Sequence, residues 1–135
     1  MKRDAVMAMT DEALRIKADE LMGGTDELCD GDIDEAAQGY WQCLKCGASG
    51  FDWGDTKHKR RRPDYPNDIA AAMGLWDAML ERGLTVEMYS RRDGRYAVVV
   101  GFPDAHEMYR YSEDIEENKP SRAITRAFIL ATQKG

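Results

Sequence analysis

Residues 67–102, NDIAAAMGLWDAMLERGLTVEMYSRRDGRYAVVVGF, contain the pattern that decides the fold of this chain. Asn67 is a favourable N-cap residue for a helix, and Gly83 is placed to end that helix. Between them, apolar side chains recur at the spacing of one helical face, which we expect to point into the core. These residues are Ile69, Met73, Trp76 and Leu80.

Two strands are predicted after this helix. In residues 84–90, LTVEMYS, apolar and polar residues alternate, which is typical of a strand with one buried face. Asp93-Gly94 is a hairpin turn signal, because both central residues of such a turn favour positive φ. Residues 96–102, YAVVVGF, are apolar at almost every position, so we expect a strand that is buried on both faces at the centre of a sheet.

Further elements lie on either side of this stretch. Thr10 can cap a first helix that ends at Gly23-Gly24. Toward the C-terminus, HEMYRY at 106–111 is the candidate third strand, and SEDIEENKP at 112–120 is a polar loop. Ser121 is the predicted cap of a last helix. The inward residues of the two terminal helices are Leu14, Ala18 and Leu21, then Ile124, Ala127, Phe128 and Ala131.

The predicted order is therefore helix, insert, helix, three strands and helix. It favours an α+β fold in which helices pack on a small antiparallel three-stranded sheet. We divide the chain into an N-terminal helix at 1–24, an insert at 25–64 and a core at 65–135. The insert has too few apolar side chains for a core of its own, and forty structureless residues inside a compact domain would be unusual. We therefore expect the insert to be stabilised by an interaction other than an apolar core.

Cys43-Leu44-Lys45-Cys46-Gly47 is a C-x-x-C-G knuckle within this insert. Two thiolates at this spacing can bind one Zn²⁺, and the following glycine lets the backbone turn under the metal. A structural zinc site needs four ligands, and Cys29 and His58 complete a Cys₃His set from the insert alone. A fourth ligand from His106, Asp30 or Asp32 stays open, as does the alternative of three ordinary reduced thiols.

The insert ends in a basic run, KHKRRR at 57–62. Its cations suit contacts with nucleic-acid phosphates or with a partner, and Trp41, Phe51 and Trp53 could stack on bases. Alternatively, the run solvates a loop or balances the acidic stretches, and the aromatic residues form a small core around the knuckle. The cations of the run are Lys57, Lys59, Arg60, Arg61 and Arg62.

Residues 65–132 contain YPNDIAAA at the start of a helix, ERG at its end, the hairpin, and AITRAFILA in the last helix. In these motifs they resemble the phage ABA-sandwich domain family. MTDEALRIKADELMGG, over residues 9–23 and beginning at Met9, resembles the N-terminal helix of that family. The resemblance implies an α-β-α sandwich and a phage or prophage origin. It implies no activity, and the insert has no counterpart in the plainer members.

Charge and motif content restrict the function classes. The net charge of −6 opposes nucleic-acid binding by the body as a whole, and an acidic protein can bind a basic surface of a host nuclease or defence protein. No apolar run approaches membrane-spanning length, and the N-terminus lacks the pattern of a signal peptide, so we expect a cytoplasmic protein of a phage-infected or lysogenic host. Nucleotide-binding, zinc-hydrolase and serine-hydrolase motifs are not found.

We therefore expect a phage or prophage accessory protein that acts by binding a host protein. The alternative is a nucleic-acid-associated protein that uses the basic run. Enzyme activity is not expected.

Overall fold

The computed structural model describes residues 3–24, 28–29, 31, 33–35, 39–51, 57–102 and 111–134. The chain divides into two compact units. Unit 1 comprises Met1–Met22 and Pro63–Gly135, and unit 2 is Gly23–Arg62. The predicted insert at 25–64 is shifted from unit 2 by two residues at each end.

Unit 1 contains four helices and a three-stranded sheet among its described residues. The helices are α1 (Arg3–Met7), α2 (Asp11–Leu21), α3 (Ile69–Glu81) and α4 (Pro120–Lys134). Unit 2 contributes the short strands β1 (Ile33–Glu35), β2 (Trp41–Cys43) and β3 (Ser49–Gly50). The sheet of unit 1 consists of β4 (Thr85–Ser90), β5 (Tyr96–Phe102) and β6 (Tyr111–Glu117). The predicted α+β class, with helices and a small antiparallel sheet, is confirmed.

Polar side chains cap α2 and α3. Thr10 accepts a hydrogen bond from the backbone N–H of Ala13 at 3.2 Å, as predicted. At α3 the prediction was wrong by one residue, because Asp68 rather than Asn67 is the N-cap and accepts from the N–H of Ala70 at 3.0 Å. A carboxylate at this position interacts favourably with the positive end of the helix dipole.

The start of α4 also differs from the prediction. The helix begins at Pro120, whose fixed φ and missing N–H suit a first turn. Ser121 lies inside the helix, and its hydroxyl donates to the carbonyl oxygen of Pro66 at 2.7 Å. Ser121 therefore ties α4 to the segment before α3 instead of capping its own helix.

The buried face of α3 is not the predicted one. The helix buries Ala72, Leu75 and Met79, whereas Leu80 is 47% exposed. Of the other residues predicted to face inward, Ile69 and Met73 are exposed and Trp76 is half-buried. The helix carries apolar residues at both sets of positions, so periodicity alone could not select the face. The small side chain of Ala72 on the buried face allows close approach of the neighbouring elements.

The sheet of unit 1 has the strand order β4-β5-β6 and is antiparallel throughout. The prediction that residues 96–102 form the central strand is confirmed. Val100 pairs with Val86 on one side, and Val98 pairs with Ile115 on the other. These four side chains are buried on one face of the sheet and form part of the core with the helices.

The third strand lies later in the chain than expected. Residues 111–117 form β6, so most of the predicted polar loop is a strand, and residues 103–110, with most of HEMYRY, lie outside the described residues. Charged residues of β6 bind cations on both faces of the sheet: Glu116 pairs with Arg91 at 2.6 Å, and Glu117 pairs with Arg126. An acidic sequence can therefore form this strand.

The β4–β5 hairpin has a three-residue loop rather than a two-residue turn. The N–H of Gly94 donates to the carbonyl oxygen of Arg91 at 3.1 Å, and Gly94 has a φ of 82°. Asp93 accepts from the N–H of Arg95 at 3.0 Å through its side chain. This is the geometry of a type I turn followed by a left-handed residue, so a single glycine at positive φ is sufficient.

Helix α4 lies at the centre of the unit 1 core. Its inward residues were predicted correctly, but the described helix is buried on nearly all sides between Ser121 and Ala131. Arg126 is only 7% exposed and donates to the carbonyl oxygens of Val6, Met7 and Met9 at 3.2–3.4 Å. It thereby supplies hydrogen-bond donors to carbonyl groups at and after the end of α1 that have no partner within the helix.

A second arginine of α4 binds α2. Arg122 makes a bidentate pair with Asp11 at 2.8 and 2.9 Å, and these hydrogen bonds hold the pKa of Asp11 below its usual value. Within the described part of the chain, no helix combines the length and the apolar character needed to cross a bilayer.

A pair of alanine substitutions tests the buried face of α3. Leu75→Ala should lower the free energy of unfolding by about 2–5 kcal/mol, because a fully buried leucine leaves a cavity. Leu80→Ala, the same change on the exposed face, should alter it by no more than about 0.5 kcal/mol. Urea denaturation followed by far-UV circular dichroism measures both, and equal losses would contradict the assignment.

Candidate metal centre

Unit 2 brings distant parts of its sequence together through a small antiparallel sheet of strand order β1-β2-β3. Ile33 pairs with Cys43, and Trp41 pairs with Gly50. A separate bridge joins Leu28 to Lys59, next to which the N–H of Cys29 donates to the carbonyl oxygen of His58 at 2.9 Å. Cys29 and His58 are thereby held side by side, although 28 residues separate them in the chain.

The C-x-x-C-G segment forms a tight knuckle at the end of β2. The N–H of Cys43 donates to the carbonyl oxygen of Ala48 at 2.7 Å, and the N–H of Gly47 donates to the carbonyl oxygen of Cys43 at 3.0 Å. Gly47 has a φ of 79°, a conformation that favours glycine. The glycine thus reverses the backbone and leaves Cys43 and Cys46 on the inner side of the turn.

All four predicted ligands lie together. The Sγ atoms of Cys29, Cys43 and Cys46 and a ring nitrogen of His58 all lie within 4.8 Å of one another and could bind a metal ion. The sulfurs of Cys29 and Cys43 are 3.7 Å apart, and that of Cys46 is 3.3 Å from Nε2 of His58. A tetrahedral zinc site with bonds of about 2.3 Å to sulfur and about 2.0 Å to nitrogen has edges of roughly 3.5–3.8 Å. Both observed separations are close to those edges.

Backbone N–H groups point at the sulfurs and set their ionisation. Donation from the N–H groups of Cys46 and Lys45 holds the pKa of Cys43 below its usual value. The N–H of Gly31 donates to Cys29 at 3.4 Å and lowers its pKa, but burial and the neighbouring thiols outweigh this and raise the pKa of Cys29. The three thiols therefore do not ionise together.

Cys46 is the most acidic thiol of the site. Burial raises its pKa, but the N–H groups of Arg61 and Ala48 and the ring of His58 outweigh burial and lower the pKa to about 6. A thiolate is therefore present at Cys46 at neutral pH, and the thiolate is the form that binds metals.

Gly31 is a functional position that motif reasoning missed. A Cβ atom at this position would lie 2.7 Å from Sγ of Cys43, 3.3 Å from Sγ of Cys29 and 2.4 Å from Cβ of Lys45. No side chain fits there, so the backbone of residue 31 passes directly over the sulfurs. The short sequence Cys29-Asp30-Gly31 is the only local signal, and by itself it does not indicate such a contact.

Trp41 belongs to the small core around the site rather than to an exposed stacking surface. It is 5% exposed, and its ring centre is 5.2 Å from that of His58. Its indole also covers Gly50, where a Cβ atom would lie 2.8 Å from Nε1. Phe51, in contrast, is 79% exposed, with its ring 5.3 Å from that of Tyr40. Trp53 lies outside the described residues.

The basic run passes through the site by way of His58. Lys57, Lys59 and Arg61 are exposed, whereas Arg60 and Arg62 are half-buried. The guanidinium of Arg61 donates to the carbonyl oxygen of Gly47 at 3.4 Å, which joins the run to the knuckle. The alternative fourth ligands, Asp30, Asp32 and His106, all lie outside the part of the chain that the structure describes.

Comparison of the chain with protein-family models, with curated proteins and with solved structures finds no match. The resemblance to the phage ABA-sandwich family therefore stays a prediction. The interpretation of the site depends on its geometry.

Alkylation of the metal-free protein tests the ionisation of Cys46. We expect iodoacetamide to modify Cys46 with a midpoint near pH 6 and Cys29 only at higher pH. In urea, all three thiols should react with the ordinary midpoint of about 8.5. Peptide mass spectrometry measures each site, and identical profiles for Cys46 in the folded and unfolded chains would contradict the assignment.

The difference between the pKa of Cys46 in the folded chain and in the unfolded chain makes the stability of metal-free unit 2 depend on pH. Because the pKa of Cys46 is lower in the folded chain than in the unfolded one, its thiolate stabilises the fold in full above about pH 8.5. That contribution decreases as the pH falls toward 6.

Proposed function

We propose that this chain is a binding protein in which a zinc ion held by Cys29, Cys43, Cys46 and His58 stabilises unit 2. We propose further that it acts on a molecule of the bacterial host as a phage or prophage accessory protein, and not as a catalyst. The observation that carries the first statement is the convergence of four ligand atoms within 4.8 Å. The resemblance of residues 65–132 supports the phage or prophage origin in the second.

The donor set favours zinc. Three thiolates and one imidazole are soft and borderline ligands, which suit zinc and iron–sulfur clusters better than magnesium or calcium. Four ligand atoms within 4.8 Å of one another leave room for a single ion, and the Cys₃His combination is common in structural zinc sites.

A structural role follows from the number of donors and from the composition of unit 2. Four protein ligands complete a tetrahedral zinc site, whereas a catalytic zinc keeps one position for water or substrate. Among the described residues of unit 2, only Trp41 and Cys43 are buried apolar side chains. So small a core gives little hydrophobic stabilisation, and metal binding can supply the missing folding free energy.

The two histidines of the chain provide a matched test of the ligand set. The purified protein should contain one equivalent of zinc by mass spectrometry of the metal. His58→Ala should reduce zinc affinity at least about 100-fold, because it removes one of four ligands. His106→Ala removes the alternative ligand and should leave the zinc content unchanged.

Cys43→Ser should also abolish stoichiometric zinc. The visible spectrum of the cobalt-substituted protein provides a second readout, because thiolate ligation gives absorption bands that a site without thiolates lacks. Zinc below half an equivalent in the parent protein, or retained in His58→Ala and lost in His106→Ala, would contradict the proposed site.

Removal of the metal should affect the two units differently. Among the described residues, the core of unit 1 consists of residues from the segments 6–21 and 65–131. A strong chelator should therefore reduce amide protection in residues 33–35, 39–51 and 57–59 and leave that of α4 unchanged, as measured by hydrogen exchange with mass spectrometry. A uniform loss of protection over both units, or none in unit 2, would contradict a structural ion confined to unit 2.

A further inference from the structure

We propose that unit 2 binds single-stranded nucleic acid, with Lys57, Lys59 and Arg61 at the phosphates and Phe51 against a base. This inference identifies the class of partner for the proposed binding function and rests on the zinc-held fold of unit 2. Two observations on unit 2 carry it: the exposure of alternate cations in the basic run and the exposure of the Phe51 ring.

The basic run has the exposure pattern of an extended strand. Lys57, Lys59 and Arg61 are exposed, and His58 and Arg60 between them are half-buried. The bridge between Leu28 and Lys59 is of the antiparallel β type, which confirms an extended backbone at the centre of the run. Alternate side chains of such a backbone point to one side, so three cations share one face.

The spacing of these cations suits a nucleic-acid strand. At about 3.3 Å per residue, side chains two positions apart on an extended backbone are separated by about 6.6 Å. This is similar to the distance between successive phosphates of an extended single strand. Three cations in a row can therefore each contact one phosphate without bending either chain.

The run is also fixed in place before any ligand binds. His58 is one of the four clustered ligands, and its carbonyl oxygen accepts from the N–H of Cys29. Next to it, Lys59 forms the bridge with Leu28. A backbone held at residues 58 and 59 loses less conformational entropy on binding than a free loop, which favours affinity from few contacts.

Phe51 provides a ring on which a base can stack, a contact that cationic side chains contacting phosphates do not supply. It follows β3, and its ring lies against that of Tyr40 while remaining 79% exposed. Exposed aromatic rings bind bases by stacking, which requires an unpaired base and tolerates any sequence. This favours a single strand over a duplex, whose bases are already stacked, and over a stretch of carboxylate side chains, which has no flat rings to stack.

The experiment uses the full chain loaded with one equivalent of zinc. Fluorescence anisotropy measures binding of oligothymidylate and oligouridylate of about 12 nucleotides. A duplex of equal length and polyglutamate are the competing partners. Binding of either oligonucleotide supports the proposal, and their comparison separates DNA from RNA. In a plot of the logarithm of the binding constant against the logarithm of the salt concentration, each contact to a single-strand phosphate contributes about −0.7 to the slope, so three contacts give about −2.

A charge-matched pair of variants separates the specific face from the net charge. The triple change Lys57→Gln, Lys59→Gln, Arg61→Gln should weaken binding at low salt at least about tenfold and bring the salt slope close to zero. The control removes three positive charges from unit 1 at positions outside the ion pairs of β6 and should retain the slope. It consists of Arg3→Gln, Lys17→Gln and Arg92→Gln.

The aromatic contact has a similar control. Phe51→Ala should weaken oligonucleotide binding about tenfold with an unchanged salt slope, because stacking involves no counterion release. Tyr89→Ala removes an exposed aromatic residue of unit 1 and should have no effect.

Three results would overturn the inference: no oligonucleotide binding at low salt, equal losses in both charge variants, or polyglutamate binding as tight as that of the oligonucleotides. The last would indicate an acidic protein partner. Zinc content is measured on every sample. A zinc-loaded protein that binds no oligonucleotide contradicts this inference alone, whereas a protein without zinc contradicts the proposed function.

Discussion

Four side-chain atoms that could bind a metal ion lie within 4.8 Å of one another in unit 2. Three sulfurs this close repel one another when ionised, and the N–H groups directed at them reduce the repulsion only in part. The outcome is a thiolate at Cys46 and a raised pKa at Cys29. A divalent cation bound here would remove the conflict, because it would neutralise the thiolates and occupy the space between them. The sheet, the knuckle and the basic run are all connected to this point.

Unit 1 is stabilised by different means. Its core surrounds α4, whose side chains are buried on nearly every side. The buried side chains of Ser121, Thr125 and Arg126 have hydrogen-bond partners, whereas Oε1 of Gln133 has none among the described residues. Arg126 satisfies carbonyl oxygens at the end of α1 and pairs with Glu117 of β6. Breaking such a set leaves buried groups without partners, which costs more than the loss of a contact at the surface. The described residues of unit 1 are therefore held together by an apolar core and by buried polar contacts.

Local signals predicted the parts of this structure that depend on local physics. The position of the hairpin, the central strand and the cap at Thr10 each depend on a few neighbouring residues, and all three were predicted correctly, whereas the length of the hairpin loop was not. Spacing within the insert also selected the four side chains that the structure brings together, Cys29, Cys43, Cys46 and His58, with other fourth ligands left open.

The missed features depend on partners that are remote in the chain. Two faces of α3 are apolar, and only packing against the rest of unit 1 selects Leu75 over Leu80. The acidic segment at 111–117 forms a strand because arginines of the hairpin and of α4 neutralise it. The requirement for glycine at residue 31 depends on a Cys43 sulfur twelve residues away. None of these partners can be identified from periodicity.

The central position of α4 has a consequence for the order of events during synthesis. The four side chains of unit 2 that could bind a metal ion all precede residue 59, so this unit can fold while the ribosome is still adding the strands of unit 1. Helices α1 and α2 leave the ribosome before unit 2, yet their polar partners Arg122 and Arg126 are made about a hundred residues later. These two helices are therefore made before unit 2 but fixed in place only after α4 has been made.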